Sequence, residues 1–200
     1  MSEIRNFIKN KLNKLLTEQN IKNNFYVLYH GTDSDFFTEL NFDESSKGER
    51  FNNPLGDALY LTPYKEDAEE FFGKNVYVYY LPKNANIKHA TKENWENDFN
   101  EIVSEVFIAM GKDYDKLDRM SQNRIKMLYR EPTQIKILNE LTFLLSNLLK
   151  IDVHEVADII ESVMNKRNEQ YDAIWYDYGE VLIPPSKFNS KLFKKTEEDF

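Results

Sequence analysis

Residues 25–37 read FYVLYHGTDSDFF, an apolar run that breaks off at His30, Gly31 and Thr32. Phe25 to Tyr29 are aromatic, aliphatic and β-branched types that suit a pleated, half-buried surface, so the stretch predicts a strand. Polar residues then take over, which places His30 at the carboxyl end of that strand with Gly31 free to turn the chain. A histidine at such a place can simply cap the strand. It gains interest only if other chemistry converges on it.

Working outward, the chain divides by texture. Ile4, Phe7, Ile8, Leu12, Leu15 and Leu16 recur at helical spacing and predict an amphipathic N-terminal helix within 1–20. Residues 21–92 hold the first strands: the 25–29 run, a polar loop over 38–56, "ALYLT", a short helix "YKEDAEEFFGKN" stopped by Gly73, and the strand "NVYVYYL". Residues 93–168 are helical in period, through "WENDFNEIVSEVFIAM", "LDRMSQNRIKMLY", "QIKILNELTFLLSNLL" and "VHEVADIIESVM", with Glu131-Pro132 opening one helix. Residues 169–200 return to strands in "YDAIWYDYGEVLIPPSKF", two short runs joined by a turn at Asp177 to Gly179, before a charged tail. Strands thus bracket a helical block, which gives the class α+β within one domain of 200 residues.

Composition narrows the function. A formal charge of -8 argues against a general nucleic-acid binder, whose footprint is basic. The absence of cysteine removes thiolate metal sites, disulfides and a Cys nucleophile, and suits a reducing cytosol. No apolar run reaches the length that spans a bilayer, so a soluble cytoplasmic protein is expected. "HEVAD" at 154–158 lacks the second histidine of a zinc-protease helix, and no metal is expected. Glycine-rich phosphate loops and a nucleophile elbow are absent, and the paired carboxylates Glu69-Glu70 and Glu197-Glu198 read as solvated faces.

Three residues then stand out. His30 ends the first strand, Tyr60 follows a glycine-bearing loop in "GDALYLTP", and Glu180 introduces the apolar run "EVLI". A Glu opening a buried strand is costly unless it is paired or lines a cleft. In order and spacing, "YHGT", "GDALYLTPYKEDAEEFF" and "YDAIWYDYGEVLIPPSKF" resemble the ADP-ribosyltransferase fold of the His-Tyr-Glu class, which includes diphtheria-toxin-like and poly(ADP-ribose) polymerase-like enzymes and many phage and bacterial effectors. "NVYVYYLPKNANI" is similar to the strand that follows the helix in that family. The resemblance covers roughly residues 25–90 and 170–188 and leaves the helical block and both termini outside it.

The resemblance implies a split β-sheet core with a helical insertion, NAD as substrate, and release of nicotinamide. His30 would hold the adenosine ribose hydroxyls, the backbone of Gly31 would grip the nicotinamide amide, and Thr32 would support the turn. Tyr60 and Phe71 would cover the two faces of the nicotinamide ring. Glu180 would bond the nicotinamide ribose and stabilise positive charge as the glycosidic bond breaks. The expected function is mono-ADP-ribosyl transfer to a macromolecule, a protein ahead of a nucleic acid, in a toxin or phage effector acting in the cytoplasm of its own or a host cell. The rivals are an NAD glycohydrolase using the same site and a catalytically silent protein-binding module. Departures bear on the acceptor. Tyr178, two residues before Glu180, replaces the second carboxyl or amide group of arginine-modifying members, and Ala68 stands where polymerase-like relatives often carry a serine.

Overall fold

Short alternating runs set the sheet. In the computed structural model, which describes residues 21–32, 54–56, 58–72 and 75–187, six strands form: β1 Phe25–Thr32, β2 Leu59–Leu61, β3 Asn75–Pro82, β4 Ile87–Ala90, β5 Ala173–Tyr176 and β6 Val181–Ile183. β1 and β3 make an antiparallel pair, and the other four lie in the order β2-β6-β5-β4. Among the described residues only β4 and β5 run parallel. The predicted N-terminal helix and most of the polar loop over 38–56 lie outside the described residues, as does the charged tail.

The period of two sends alternate side chains to different cores. Leu59 and Leu61 of β2, Ala173 of β5, and Val181 and Ile183 of β6 join Leu28, Tyr79 and Leu81 of the β1–β3 pair in one apolar cluster. Ile174, Tyr176 and Leu182 point the other way and meet the helices, with Tyr60 packed beside them. The four-stranded sheet is therefore covered on one face by strands and on the other by helices.

The helices are α1 Lys92–Ala109, α2 Arg119–Met127, α3 Gln134–Leu149 and α4 Val153–Asn168. Each opens on a side-chain oxygen that accepts a first-turn N–H: Thr91, Asp118, Thr133 and Asp152. Their apolar stripes bury Phe99, Val106, Ile125, Leu138, Leu141, Val156 and Ile160 against one another and against the sheet. The block connects β4 to β5. A parallel pair cannot be closed by a tight turn and requires a long crossover, which these helices supply.

Several expectations are corrected. β1 does not end at His30: it runs on to Thr32, with His30 opposite Tyr77, Gly31 opposite Val76 and Thr32 opposite Asn75. Backbone pairing to β3 is the reason, because it holds Gly31 extended instead of turning the chain. The last strand begins at Val181, one residue after Glu180. α3 begins at Gln134 behind its Thr133 cap, so Pro132 precedes the helix instead of filling its first turn. The short helix expected after "ALYLT" is a single α-turn, Lys65–Asp67, continuing as a π-turn over Ala68–Phe72. β4 was not expected from the sequence at all.

Candidate active site

β2 ties the two sheets together where His30 and Tyr60 meet. Tyr29 N–H donates to the Thr62 carbonyl at 2.7 Å, and Thr62 N–H donates back to Tyr29 at 2.9 Å. Next to this bridge, His30 Nδ1 lies 2.9 Å from the Tyr60 carbonyl oxygen. A carbonyl can only accept, so Nδ1 carries the proton and, in the neutral ring, Nε2 is the acceptor. Burial pushes the histidine below its usual value, partly opposed by the Tyr60 carbonyl. His30 is thus set as a neutral imidazole of one tautomer near pH 7.

Tyr60 stands opposite Leu182 on the helix-facing side of β2. Its hydroxyl donates to the Gly56 carbonyl at 3.2 Å. Gly56 has φ +95, a conformation that favours glycine, and a Cβ there would come within 2.4 Å of Asn165 Oδ1 on α4 and force that side chain to shift. One residue earlier, buried Asn168 donates from Nδ2 to the Leu55 carbonyl at 2.7 Å. The loop that receives the Tyr60 hydroxyl is therefore pinned by the last helix of the block.

Glu180 is delivered by the β5–β6 hairpin. Gly179 N–H donates to the Tyr176 carbonyl at 3.0 Å, and Tyr176 N–H donates to the Glu180 carbonyl at 2.8 Å. Gly179 takes φ +90, which closes the turn, and a Cβ on it would stand 3.3 Å from the Tyr64 ring. The carboxyl that follows is buried, and desolvation raises it above the usual carboxylate range while the Tyr178 phenol opposes the rise. Its Oε2 is buried with no hydrogen-bond partner among the described residues. Such an atom costs free energy to keep and calls for an explanation.

The predicted residues are brought together unevenly. His30 and Tyr60 are joined directly. Glu180 stands near Tyr178, whose phenol is pushed up by burial first and then by Glu180, Tyr176 and Tyr60. Gly31 is buried within the β1–β3 pair, and Thr32 is placed by its backbone opposite Asn75. Phe71 lies in the π-turn, which packs over β1, but its side chain falls outside the described residues. Ala68 of the same turn is fully buried. Tyr178, noted in the sequence only as a departure from arginine-modifying members, stacks on Tyr176 with ring centroids 5.4 Å apart beside Glu180.

Two cavities flank this region. One, of about 250 Å³, lies between α1, α4 and the β4–β5 pair and is closed by its own charges. Arg167 reaches Glu105 at 2.7 Å, Glu101 at 2.9 Å and Asp98 at 3.5 Å, while Lys88 meets Asp98 at 2.6 Å. Its cations and carboxylates satisfy each other, which fits a brace between helices. The other, of about 280 Å³, is bounded by Lys92, Trp95, Tyr129, Glu131, Asp177 and Tyr178 among others, so it opens beside the Glu180 hairpin. Among the described residues, no group of three or more His, Cys, Asp or Glu is placed to hold a metal ion, and no helix is long and apolar enough to cross a membrane.

No family model matches the chain, and no curated protein or solved structure matches it either. The class defined by fold is therefore α+β, and the functional reading rests on the site itself.

Proposed function

We propose that this protein cleaves the bond between nicotinamide and ribose in NAD and transfers the ADP-ribosyl group to a macromolecular acceptor, on a split β core of the ADP-ribosyltransferase type. The observation that carries the reading is the buried Glu180 carboxyl with one unpartnered oxygen, at a hairpin rim next to the His30–Tyr60 link.

Nicotinamide departs with the electron pair of the glycosidic bond and becomes neutral, leaving positive charge on the sugar. A desolvated carboxylate beside that sugar gains most as the charge develops, which lowers the barrier and does not merely tighten binding. The acceptor's nucleophile then forms the new bond to the sugar carbon and gives up its proton. His30 Nε2 has the acceptor character to take a ribose hydroxyl, and the Tyr60 ring has the face to stack on the cationic nicotinamide, an attraction of about 0.5–2 kcal/mol. The cavity beside Tyr178 gives an acceptor side chain a route to the hairpin from the helical block.

The test incubates purified protein with NAD labelled in the ADP-ribose part, with and without cell lysate, following nicotinamide release and the labelled species by mass spectrometry. Label on a protein supports transfer. Nicotinamide release without labelled macromolecule supports the glycohydrolase instead. No turnover together with no NAD binding by calorimetry sinks the reading and favours a silent binding module.

A further inference from the structure

α2 and α3 leave between them a groove of about 480 Å³, lined by none of His30, Tyr60 and Glu180. Its walls break the usual order of a surface helix, which turns polar and charged residues outward. On α2, Met120, Arg124 and Met127 follow one another at i, i+4 and i+7 and so share a face, with the two methionines 72% and 52% exposed. On α3, Glu140, Phe143 and Leu144 follow at i, i+3 and i+4, with Phe143 52% exposed and Leu144 buried. Three of the six large hydrophobic side chains that stand exposed among the described residues therefore meet at one groove. Scattered singly, such side chains need no account; gathered together, they mark an interaction surface. Met, Phe and Arg are also types that interfaces favour.

The groove carries one charge of each sign, Arg124 from α2 and Glu140 from α3. α2 has no acidic residue to answer Arg124. The cation one turn before Glu140, Lys136, is held by Glu131 at 2.6 Å. Neither Arg124 nor Glu140 is ion-paired among the described residues, and both are exposed. We propose that two copies of the chain associate through this groove about a twofold axis, Met120, Met127 and Phe143 packing on their counterparts while Arg124 of each copy pairs with Glu140 of the other. A twofold axis sets a patch against itself, so one cation and one carboxylate on two helices are answered twice over. The charge balance favours a second copy as the occupant. At a formal charge of -8 two chains repel, and a patch whose own charges cancel is a place where they can meet. A strongly acidic or basic partner would instead select a patch of one sign. The unbranched, polarisable methionines adapt readily to one another across such a seam.

Sedimentation equilibrium of the full chain over a series of concentrations tests the inference, and a monomer–dimer equilibrium is expected. R124E and E140R should each weaken it by at least about tenfold, because each sets like charges against one another twice. The double variant R124E/E140R should return it toward wild type. Mixing the two single variants should also give a mixed dimer, since one then carries two acids at the groove and the other two bases. Both positions are exposed, so each variant should keep the helical circular dichroism and melting temperature of wild type. A chain that stays monomeric up to about 1 mM overturns the inference and leaves the groove to a different occupant. A dimer that neither charge reversal weakens overturns it as well, because the association then lies on another face.

Discussion

The helical block and the hairpin rim treat buried polar atoms in opposite ways. In the block, Gln134 donates to the Ala90 carbonyl, Thr142 to Leu138, and Asn168 to Leu55; of the two buried atoms there without a hydrogen bond, Asp98 Oδ2 is ion-paired with Lys88 at 2.6 Å and Trp95 Nε1 is left unanswered. At the rim, a carboxylate is desolvated and one of its oxygens is left unanswered. The first arrangement holds a fold together; the second calls for an explanation, and the proposed chemistry supplies one. On the proposed function, stability and chemistry fall to different parts of one molecule.

The largest effect should come from the block. Phe99 is 1% exposed in the helix-facing core, and Phe99→Ala should cost about 3–5 kcal/mol, much of a domain's total stability. Urea denaturation measures it, and a cost below about 1 kcal/mol would mean that the block is not the main source of cohesion. Glu180→Gln reverses the pattern. Turnover should drop by about 10²–10³ while NAD affinity and melting temperature are kept, the latter even raised, because a desolvated charge is gone. Single-turnover kinetics and calorimetry on the same folded variant decide it, and a wild-type rate refutes the catalytic role.

Asn168→Ala probes the seam between the two regions. Losing the donor to the Leu55 carbonyl strands a buried acceptor and should cost about 1–3 kcal/mol. Because that loop receives the Tyr60 hydroxyl, NAD affinity should weaken as well, whereas Phe99→Ala should spare it below the melting point. The smallest effect is on pH dependence. Glu180 is raised in the folded state, so the unfolded chain releases its proton first and stability falls as pH rises from about 4.5 to the folded midpoint. His30 is lowered, so the unfolded chain takes its proton first and stability falls as pH drops below about 6.5. Denaturation curves for wild type and Glu180→Gln separate the two slopes: the difference between them should decline with rising pH above 4.5 and then level off.

Much of the architecture is written in periodicity. The helices announce themselves through apolar spacing and through Thr and Asp caps, and "NVYVYYL" and the "AIWY–VLI" hairpin through alternation and the Asp177-Tyr178-Gly179 turn. β4 was hidden because "IKHA" is four residues long and derives its strand character from parallel pairing with β5, a partner that lies a whole helical block away. The extension of β1 past His30 was hidden for the same reason, since only the pairing to β3 keeps Gly31 extended. At the candidate site, expected strand ends flag His30, Tyr60 and Glu180, although His30 and Tyr60 lie within β1 and β2 and Glu180 precedes β6. What no spacing encodes is the stacking of Tyr178 on Tyr176 or the anchoring of the Gly56 loop by α4, both products of tertiary packing.

The parallel β4–β5 pair has a consequence for how the molecule comes into being. Its partners, Ile87 with Ala173 through Ala90 with Tyr176, are 86 residues apart in the chain, so the ladder is a non-local contact that closes only after a long loop has been ordered. The β5–β6 hairpin can form early on its own, but Glu180 has no interior to be buried in until the helices have assembled and brought β5 alongside β4. A refolding chain should therefore regain helical circular dichroism before it regains NAD turnover, with the proton affinity of Glu180 rising only in the last kinetic phase. The chain would acquire its structural core first and its chemically strained carboxylate last, which spares the partly folded state the burden of a buried charge.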